Sequence, residues 1–218
     1  MLVKDIMTRH PIMVAPETPA AEAQRIMAEN HIRHLPVAGS GKRLLGLITR
    51  QRLALKPENL ASLNVWEISR LLGSLTAERV MLKAEHVYTI TPDKTVERAA
   101  HMMTDHKIGC LPVLEDNVVV GIITEADLLQ AFQVMLGLPA QGVRVTVRVP
   151  NRTGEFNKLM TRVAEKGWGV LGIGSFPARK QPDFYDIVLK IPRVGITEVR
   201  EALATIPDQE IVDIREVV

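Results

Sequence analysis

Residues 32–37 read Ile-Arg-His-Leu-Pro-Val, and residues 108–113 read Ile-Gly-Cys-Leu-Pro-Val. The likeness continues on both sides of this segment. Downstream, Gly-Leu-Ile-Thr at 46–49 recurs as Gly-Ile-Ile-Thr at 121–124, with one residue deleted in between. The matching upstream positions are Pro16, Ala23 and Met27, which recur as Pro92, Ala99 and Met103. The repeat indicates two tandem copies of one structural unit.

Both copies predict the same order of elements. An extended piece (residues 12–14 and 87–90) leads through a proline-marked turn into a helix (19–30 and 95–106). In the first copy, Thr18 and Pro19 fit the N-cap and N1 positions. A hairpin follows, 35–38 with 44–48 and 111–114 with 118–123, and a second helix starts at Thr49 or Thr124.

The rest of the chain does not follow the repeat. Residues 57–76 form an insertion whose apolar spacing predicts a short amphipathic helix around Trp66. After residue 142 the pattern predicts strand 143–149, helix 156–166, strands 170–176 and 185–191, helix 196–206 and strand 211–217. This βαββαβ order builds an antiparallel sheet with helices on one face. The expected domains are therefore 1–56, 77–136 and 142–218, combining α/β and α+β folds.

Composition limits the function classes. The net charge of +2 leaves no electrostatic footprint for non-specific nucleic-acid binding. Aromatic residues make up 4% of the chain, so the cores must be aliphatic. The single cysteine, Cys110, excludes an intrachain disulfide and fits a reducing compartment. Charged residues interrupt the N-terminus, and no stretch has the roughly 18 apolar residues that span a bilayer. We therefore expect a cytoplasmic protein without a membrane segment.

The repeat resembles the CBS domain through residues 5–8, 32–37, 108–113 and 121–127. Tandem CBS domains form a paired module, and the resemblance implies a regulatory ligand such as AMP, ADP, ATP or S-adenosylmethionine, with no catalytic cofactor. The C-terminal part looks like an ACT domain, which often binds amino acids at a dimer interface. The CBS–CBS–ACT order resembles the acetoin-utilisation (AcuB-type) group.

The resemblance implies that Thr124 binds phosphate and that the carboxylate of Asp127 accepts hydrogen bonds from a ribose diol. A capping box at the start of the following helix is the structural alternative. The first copy offers Thr49 but has Arg52 in place of the carboxylate, and arginine has no acceptor. Either that half-site is empty, or Arg50 and Arg52 bind phosphate of a ligand held mainly by the second copy. We expect one adenosyl ligand per chain.

Further nucleotide contacts are expected in the second copy, at Tyr88, Gly109, Cys110, Leu111 and Pro112. Cys110 adjoins the segment that often borders the adenine pocket in CBS domains. No base is adjacent to it in sequence, so core packing is the preferred interpretation over a reactive thiol.

The candidate effector site of the ACT-like domain is the turn Asn151, Arg152, Thr153 and Gly154. Gly154 permits a positive φ or a close backbone approach. The structural alternative is a plain strand-to-helix connection in which Asn151 or Thr153 is the N-cap.

Other patterns argue against catalysis and metal binding. Residues 167–172 match G-x-G-x-x-G but follow a helix, the reverse of the dinucleotide-binding context. His31 and His34 lack a cysteine or acid that would complete a metal site. We therefore expect a non-enzymatic regulatory protein with an unknown regulated partner and a possible amino-acid effector. A homodimer is expected separately, because the edges of a βαββαβ sheet and the apolar helix faces of a CBS pair need cover. A structural assembly module without a ligand and an unrecognised nucleotide-converting enzyme are the alternatives.

Overall fold

The computed structural model describes residues 1–53 and 75–217. The chain divides into two compact units, Met1–Leu128 and Leu129–Val218. The helix expected around Trp66 lies outside the described residues. The division falls earlier than the boundary expected at residues 136–142, inside the helix that follows Thr124.

The first unit contains the first copy of the repeat and the second copy up to Leu128, inside its last helix. The first copy comprises α1 (Val3–Ile6), β1 (Thr8–Arg9), α2 (Ala20–Glu29), β2 (His34–Ala38), β3 (Leu44–Thr49) and α3 (Arg50–Leu53). The second copy comprises α4 (Ala77–Val80), β4 (Leu82–Lys83), α5 (Val96–His106), β5 (Cys110–Glu115), β6 (Val118–Thr124) and α6 (Glu125–Met135). Both predicted hairpins and both predicted long helices are confirmed to within one or two residues.

The two copies exchange their first strands. The sheets have the orders β2-β3-β4 and β1-β6-β5, so β1 of the first copy pairs with the hairpin of the second, and β4 does the reverse. Backbone hydrogen bonds repeat the exchange, from Val3 N to Lys94 O at 2.8 Å and from Ala77 N to Thr18 O at 2.7 Å. Neither copy is therefore complete without the other.

Glycine permits this close crossing. A Cβ atom at Gly46 would lie 2.5 Å from the carbonyl oxygen of Leu82 on the exchanged strand. At the matching Gly121, it would lie 2.6 Å from the Sδ atom of Met7. Both positions lack room for a side chain because another strand passes directly over them.

The repeat helices bury small and flexible apolar residues, as their spacing predicted. Ala23 and Met27 in α2 match Ala99 and Met103 in α5, and all four are at most 3% exposed. The expected N-cap of α2 is wrong by one residue, because Pro19 is the N-cap and the helix begins at Ala20. The N–H of Ala20 is held by the carbonyl of Leu75 at 2.8 Å, and no side chain in the described region caps this helix.

The second unit has the predicted βαββαβ order: β7 (Gly142–Pro150), α7 (Glu155–Glu165), β8 (Gly172–Pro177), β9 (Phe184–Ile191), α8 (Ile196–Leu203) and β10 (Glu210–Val217). The antiparallel sheet has the order β10-β7-β9-β8. Alternate residues of β7 and β9 pack against Leu159 and Val163 of α7 and against Val199 and Leu203 of α8. One face of the sheet therefore packs into this core, and the opposite face lies away from the two helices.

Candidate functional site

Two clefts in the first unit contain most of the candidate nucleotide-binding residues. We name them the Asp127 cleft, of about 280 Å³, and the Thr49 cleft, of about 540 Å³. The Asp127 cleft is lined by Thr8, Pro11, Ile12, Ile122, Thr124, Ala126, Asp127 and residues 31–34. The Thr49 cleft is lined by Arg33, His34, Leu47, Thr49, Arg50, Gln51, Leu82, Glu125, residues 86–88 and residues 107–110.

Each cleft combines the two copies in a crossed manner. The Asp127 cleft joins the end of the second hairpin to residues 31–34 of the first copy. The Thr49 cleft joins the end of the first hairpin to residues 107–110 of the second copy. Because β1 and β4 are exchanged, the segment that precedes each hairpin faces the terminal threonine of the other copy.

Asp127 is held in place by Thr124. The backbone N–H and the hydroxyl of Thr124 both donate to Oδ2 of Asp127 at 2.7 Å, and the N–H of Asp127 approaches Oγ1 of Thr124 at 3.5 Å. This is the capping box that was the structural alternative at the start of α6. In the described part of the chain, the other carboxylate oxygen, Oδ1, has no hydrogen-bond partner. The cap and a ligand contact are therefore compatible, because they use different oxygens.

The Thr49 cleft is richer in cations. Arg33, Arg50 and Lys107 line it, and Glu125 is the carboxylate among its lining residues. The N–H of Arg50 donates to the carbonyl of Arg33 at 3.0 Å, as the N–H of Glu125 donates to the carbonyl of Gly109 at 3.2 Å. Matching positions of the two copies therefore have the same backbone bond but side chains of opposite charge.

His34 lines both clefts and is half-buried. Burial lowers the pKa of His34, the guanidinium of Arg33 lowers it further, and the carboxylate of Glu125 opposes both effects. Cys110 is its counterpart in the repeat and is 3% exposed. Burial, with a contribution from Glu125, raises the pKa of the Cys110 thiol to about 12. The thiol therefore stays protonated and unreactive at neutral pH, in keeping with core packing.

The structure separates the candidate residues predicted for the nucleotide site. Thr124 and Asp127 line the Asp127 cleft, whereas Thr49, Tyr88, Gly109 and Cys110 line the Thr49 cleft. Leu111 and Pro112 are buried in β5. Arg52 is exposed on α3 and is absent from the described lining of both clefts, so Arg50 is the arginine of this turn that reaches a cleft.

The sequence did not predict that Thr8, Pro11, Ile12 and residues 31–34 of the first copy line the same cleft as Asp127. The repeated segment before each hairpin was the available signal, but it does not reveal which copy completes which cleft. Tyr88 was expected to contact the nucleotide. Its ring stacks on His106, with ring centroids 3.8 Å apart, and it remains 45% exposed.

The candidate effector turn in the second unit is connected to neighbouring residues by salt bridges. Arg152 Nε donates to Glu155 Oε1 at 2.7 Å, and its Nη2 donates to Asp208 Oδ2 at 2.6 Å. Glu155 is 2% exposed and also accepts from Lys158 and Gln209. Lys158, Arg152 and Gln209 together lower the pKa of Glu155 to about 2. Arg152 therefore stabilises the start of α7 through these bonds.

Neither Asn151 nor Thr153, the alternative N-caps of α7, caps the helix. The N-cap is Gly154, at φ +93°, and the described side chains provide no cap bond. The alternative in which Asn151 or Thr153 is the N-cap is therefore wrong, because Gly154 occupies that position in a conformation that favours glycine. Asn151 and Thr153 are exposed, and Gly154 borders a groove of about 380 Å³ along α7.

The described residues contain neither a metal-ion cluster nor a helix that could span a membrane. Residues 1–53 and 75–217 contain no group of three or more His, Cys, Asp or Glu side chains placed to hold a metal ion. Among the helices in these ranges, none is both long and apolar enough to cross a membrane.

Curated relatives match part of the chain. A homoserine O-acetyltransferase from Methanohalobium evestigatum is 33% identical over 132 residues, which are 60% of this chain and 24% of that protein. An L-aspartate semialdehyde sulfurtransferase from Methanocaldococcus jannaschii is 31% identical over 132 residues, which are 60% of this chain and 23% of that protein. The chain thus spans about a quarter of the length of these relatives.

Solved structures also match about 60% of the chain. A Vibrio cholerae protein assigned to acetoin utilization (AcuB) is 33% identical with a TM-score of 0.51, covering 61% of this chain and 90% of that chain. A CBS domain pair in complex with 5′-methylthioadenosine and S-adenosyl-L-methionine is 30% identical with a TM-score of 0.50, covering 61% and 95%. CBSX2 in complex with AMP is 26% identical with a TM-score of 0.51, covering 60% and 95%.

The family model of the CBS domain matches residues 3–57 and 69–134. These two segments make up more than half of the chain and coincide with the two copies of the repeat. The third domain lies beyond the matched residues, so its relation to ACT domains stays a resemblance. With the exchanged strands and the paired clefts, the match shows that this chain belongs to the CBS domain family.

Proposed function

We propose that the first unit is a regulatory sensor of an adenosine-containing ligand, and that the ribose of this ligand binds in the Asp127 cleft. Similar CBS pairs have been solved with AMP and with 5′-methylthioadenosine and S-adenosyl-L-methionine, which supports the ligand class. Ligand binding regulates a partner if it favours one arrangement of the protein over another.

The observation that carries the proposal is the unpaired Oδ1 of Asp127 in the described structure. The capping box fixes the carboxylate through Oδ2, so Oδ1 is held in position before a ligand arrives. A ribose diol supplies two hydroxyl donors, and an ionised carboxylate is an acceptor without donors. The chemistry is complementary, and the site is preorganised.

The rest of the Asp127 cleft suits the remaining parts of the ligand. Pro11, Ile12 and Ile32 offer apolar surface to an adenine ring. Arg33 and His34 supply donors to a phosphate or to the carboxylate of an S-adenosyl ligand. A nucleoside with one charged substituent therefore matches the chemistry of this cleft.

The Thr49 cleft favours phosphate. Its three cations, Arg33, Arg50 and Lys107, exceed its single lining carboxylate, Glu125. The position of Asp127 is taken in this copy by Arg52, so a diol finds no equivalent acceptor there. We propose that this cleft contributes to phosphorylated ligands rather than holding a second adenosyl group of equal affinity.

A ligand-free assembly module remains the alternative, because the capping box alone explains the pairing of Thr124 with Asp127. Regulatory rather than catalytic action is likewise part of the proposal. The relatives that are named as enzymes match over about a quarter of their length, so their activities belong to chains with much additional sequence.

The second unit is proposed to be an ACT-like regulatory or dimerisation domain. Its βαββαβ order and the glycine at φ +93° in the turn before α7 support the likeness. An amino-acid effector at this turn would meet Asn151, Thr153 and backbone groups, since Arg152 is engaged by Glu155 and Asp208. A homodimer is part of the proposal, and light scattering that finds a monomer with and without ligand would reject it.

The ligand can be identified without a prior guess by mass spectrometry of small molecules released from the purified protein. Calorimetry with AMP, ATP, S-adenosylmethionine and 5′-methylthioadenosine then measures affinity and stoichiometry. Asp127→Asn is the informative variant, because the amide oxygen can still cap α6 while the charged acceptor is lost. Asp105→Asn, an exposed carboxylate on α5, is the matched control. Equal affinities in Asp127→Asn and Asp105→Asn would place the ribose elsewhere.

A further inference from the structure

The second face of the C-terminal sheet, opposite the helices, contains several ionic groups, and some of its polar residues are deeply buried. The residues of β7 and β9 that alternate with the core belong to it. Lys190 is 2% exposed, Thr146 is 6% exposed and Asp186 is 7% exposed. Ionic groups this deeply buried require partners, because desolvation penalises a charge that is left alone.

The cations of this face bond to carboxylates with one exception. Arg148 bonds both oxygens of Asp186 at 2.8 and 3.0 Å. Asp213 accepts from Arg144 at 3.2 Å and from Arg215 at 2.6 Å. The remaining cation, Lys190, has no hydrogen-bond partner for its Nζ atom within residues 1–53 and 75–217.

The charges of this face therefore do not balance. Its cations are Arg144, Arg148, Lys190 and Arg215, and its carboxylates are Asp186, Glu210 and Asp213. One positive charge is in excess, and the unpaired atom is the Nζ of Lys190. A group with one negative charge would complete the face.

Lys190 lies under a crossing segment of backbone. In the sheet register it is flanked by Arg144 on β7 and Gly172 on β8. A Cβ atom at Gly172 would overlap the backbone of Leu136, and one at Gly137 would lie 3.1 Å from Cδ of Lys190. Residues 136–137 thus cover the stem of the lysine, which keeps water from solvating it freely.

Thr146 supplies a second donor on the same face. It lies opposite Val188, two residues from Lys190 on β9, so the two side chains are diagonal neighbours. Its hydroxyl accepts a hydrogen bond from Arg144 Nη1 at 3.3 Å. The O–H of Thr146 is therefore left to donate. An ammonium and a hydroxyl that both donate call for a ligand that only accepts.

We propose that Lys190 and Thr146 form a binding site for the carboxylate group of a small molecule, beneath residues 136–137. A carboxylate brings the single negative charge that this face lacks. Its oxygens can accept from the ammonium and from the hydroxyl together. The site is distinct from the turn at residues 151–154 and from both clefts of the first unit.

The test uses the full chain and acetate as the probe, with acetamide as the uncharged analogue, at constant ionic strength. In protein labelled with ¹³C-lysine, acetate should shift the Cε signal of Lys190, and acetamide should not. Lys190→Met removes the charge and keeps the length, and exposed Lys180→Met is the control. Acetate affinity should fall about ten- to hundredfold in Lys190→Met and stay unchanged in Lys180→Met.

Lys190→Met should fold, because an unpaired buried ammonium is replaced by an apolar chain. Thr146→Val gives a second measurement, with a smaller loss of acetate affinity. No acetate-dependent shift of the Lys190 signal, or equal affinities in Lys190→Met and Lys180→Met, would overturn the proposal. A dimer that dissociates in Lys190→Met or on adding acetate would also overturn it, because the carboxylate would then come from a second copy of the chain.

Discussion

The two copies of the repeat share a backbone and differ in their side chains. Both have a buried hairpin, a threonine at its end and a main-chain bond from the next residue back to the segment before the hairpin. The second copy then presents Glu125 and Asp127 where the first presents Arg50 and Arg52. The same aliphatic packing stabilises the fold of both copies, whereas the charged residues that follow the hairpin differ in sign. The two copies thus share a backbone arrangement at the end of the hairpin and differ in the charge that they present there.

The largest expected effect comes from removing the carboxylate that the first copy lacks. Asp127→Ala should weaken binding of an adenosyl ligand about ten- to hundredfold, because a hydrogen bond to a charged group contributes about 1.5–3 kcal/mol. Calorimetry measures this loss of affinity. The same measurement on Arg50→Ala should show weaker binding mainly for ligands with phosphate. Arg52→Ala should have little effect, because Arg52 is exposed outside the described lining of both clefts. Two equal sites per chain would abolish the distinction between the copies.

The next effect tests the exchanged strands. Gly46→Ala should destabilise the first unit by about 1–3 kcal/mol, because the new methyl group meets the backbone oxygen of Leu82 at 2.5 Å. Gly121→Ala should cost less, because its nearest neighbour is the flexible Sδ atom of Met7 at 2.6 Å. Urea unfolding of the two variants gives the order. If Gly121→Ala is the more damaging, the two crossings are not packed as described.

The crossing also explains what could be predicted from sequence. Period-two and helical patterns are local, so the hairpins and the faces of α2 and α5 followed from one copy alone. Strands of two residues, such as β1 and β4, carry no period, and the identity of their partner is a long-range property. Tyr88, Gly109 and Cys110 were therefore grouped with Thr124 and Asp127, although they line different clefts. In the second unit, alternation predicted the strands, but the pairing of Arg152 with Asp208 joins residues far apart in sequence.

A smaller effect distinguishes the helix starts of the two copies. Oγ1 of Thr95 accepts from the N–H of Arg98 at 3.2 Å at the start of α5. The corresponding cap of α2 is Pro19, without a side-chain bond in the described region. Thr95→Ala should therefore destabilise the unit by about 1 kcal/mol. Thr18→Ala should leave its free energy of unfolding nearly unchanged. Equal losses of stability in the two variants would mean that the Thr18 side chain stabilises α2 through a contact that the described structure does not show.

The smallest effect concerns pH and the pair His34 and Cys110, which occupy matching positions. Burial lowers the pKa of His34 below its ordinary value of 6.5, so the unfolded chain takes up a proton before the folded chain does. The contribution of His34 to stability should therefore be constant above about pH 6.5 and decline as the pH falls below it. Cys110 contributes nothing in this range, because its pKa is about 12. The effect is modest because His34 is only half-buried. Between neutral and mildly acidic pH, the melting temperature should fall less steeply in His34→Gln than in wild type. In Cys110→Ala the melting temperature should be lower throughout but should fall with the wild-type slope. Identical slopes in wild type and His34→Gln would show that the pKa of His34 is not lowered in the folded protein. The side chain of His34, which lines both clefts, would then be open to water.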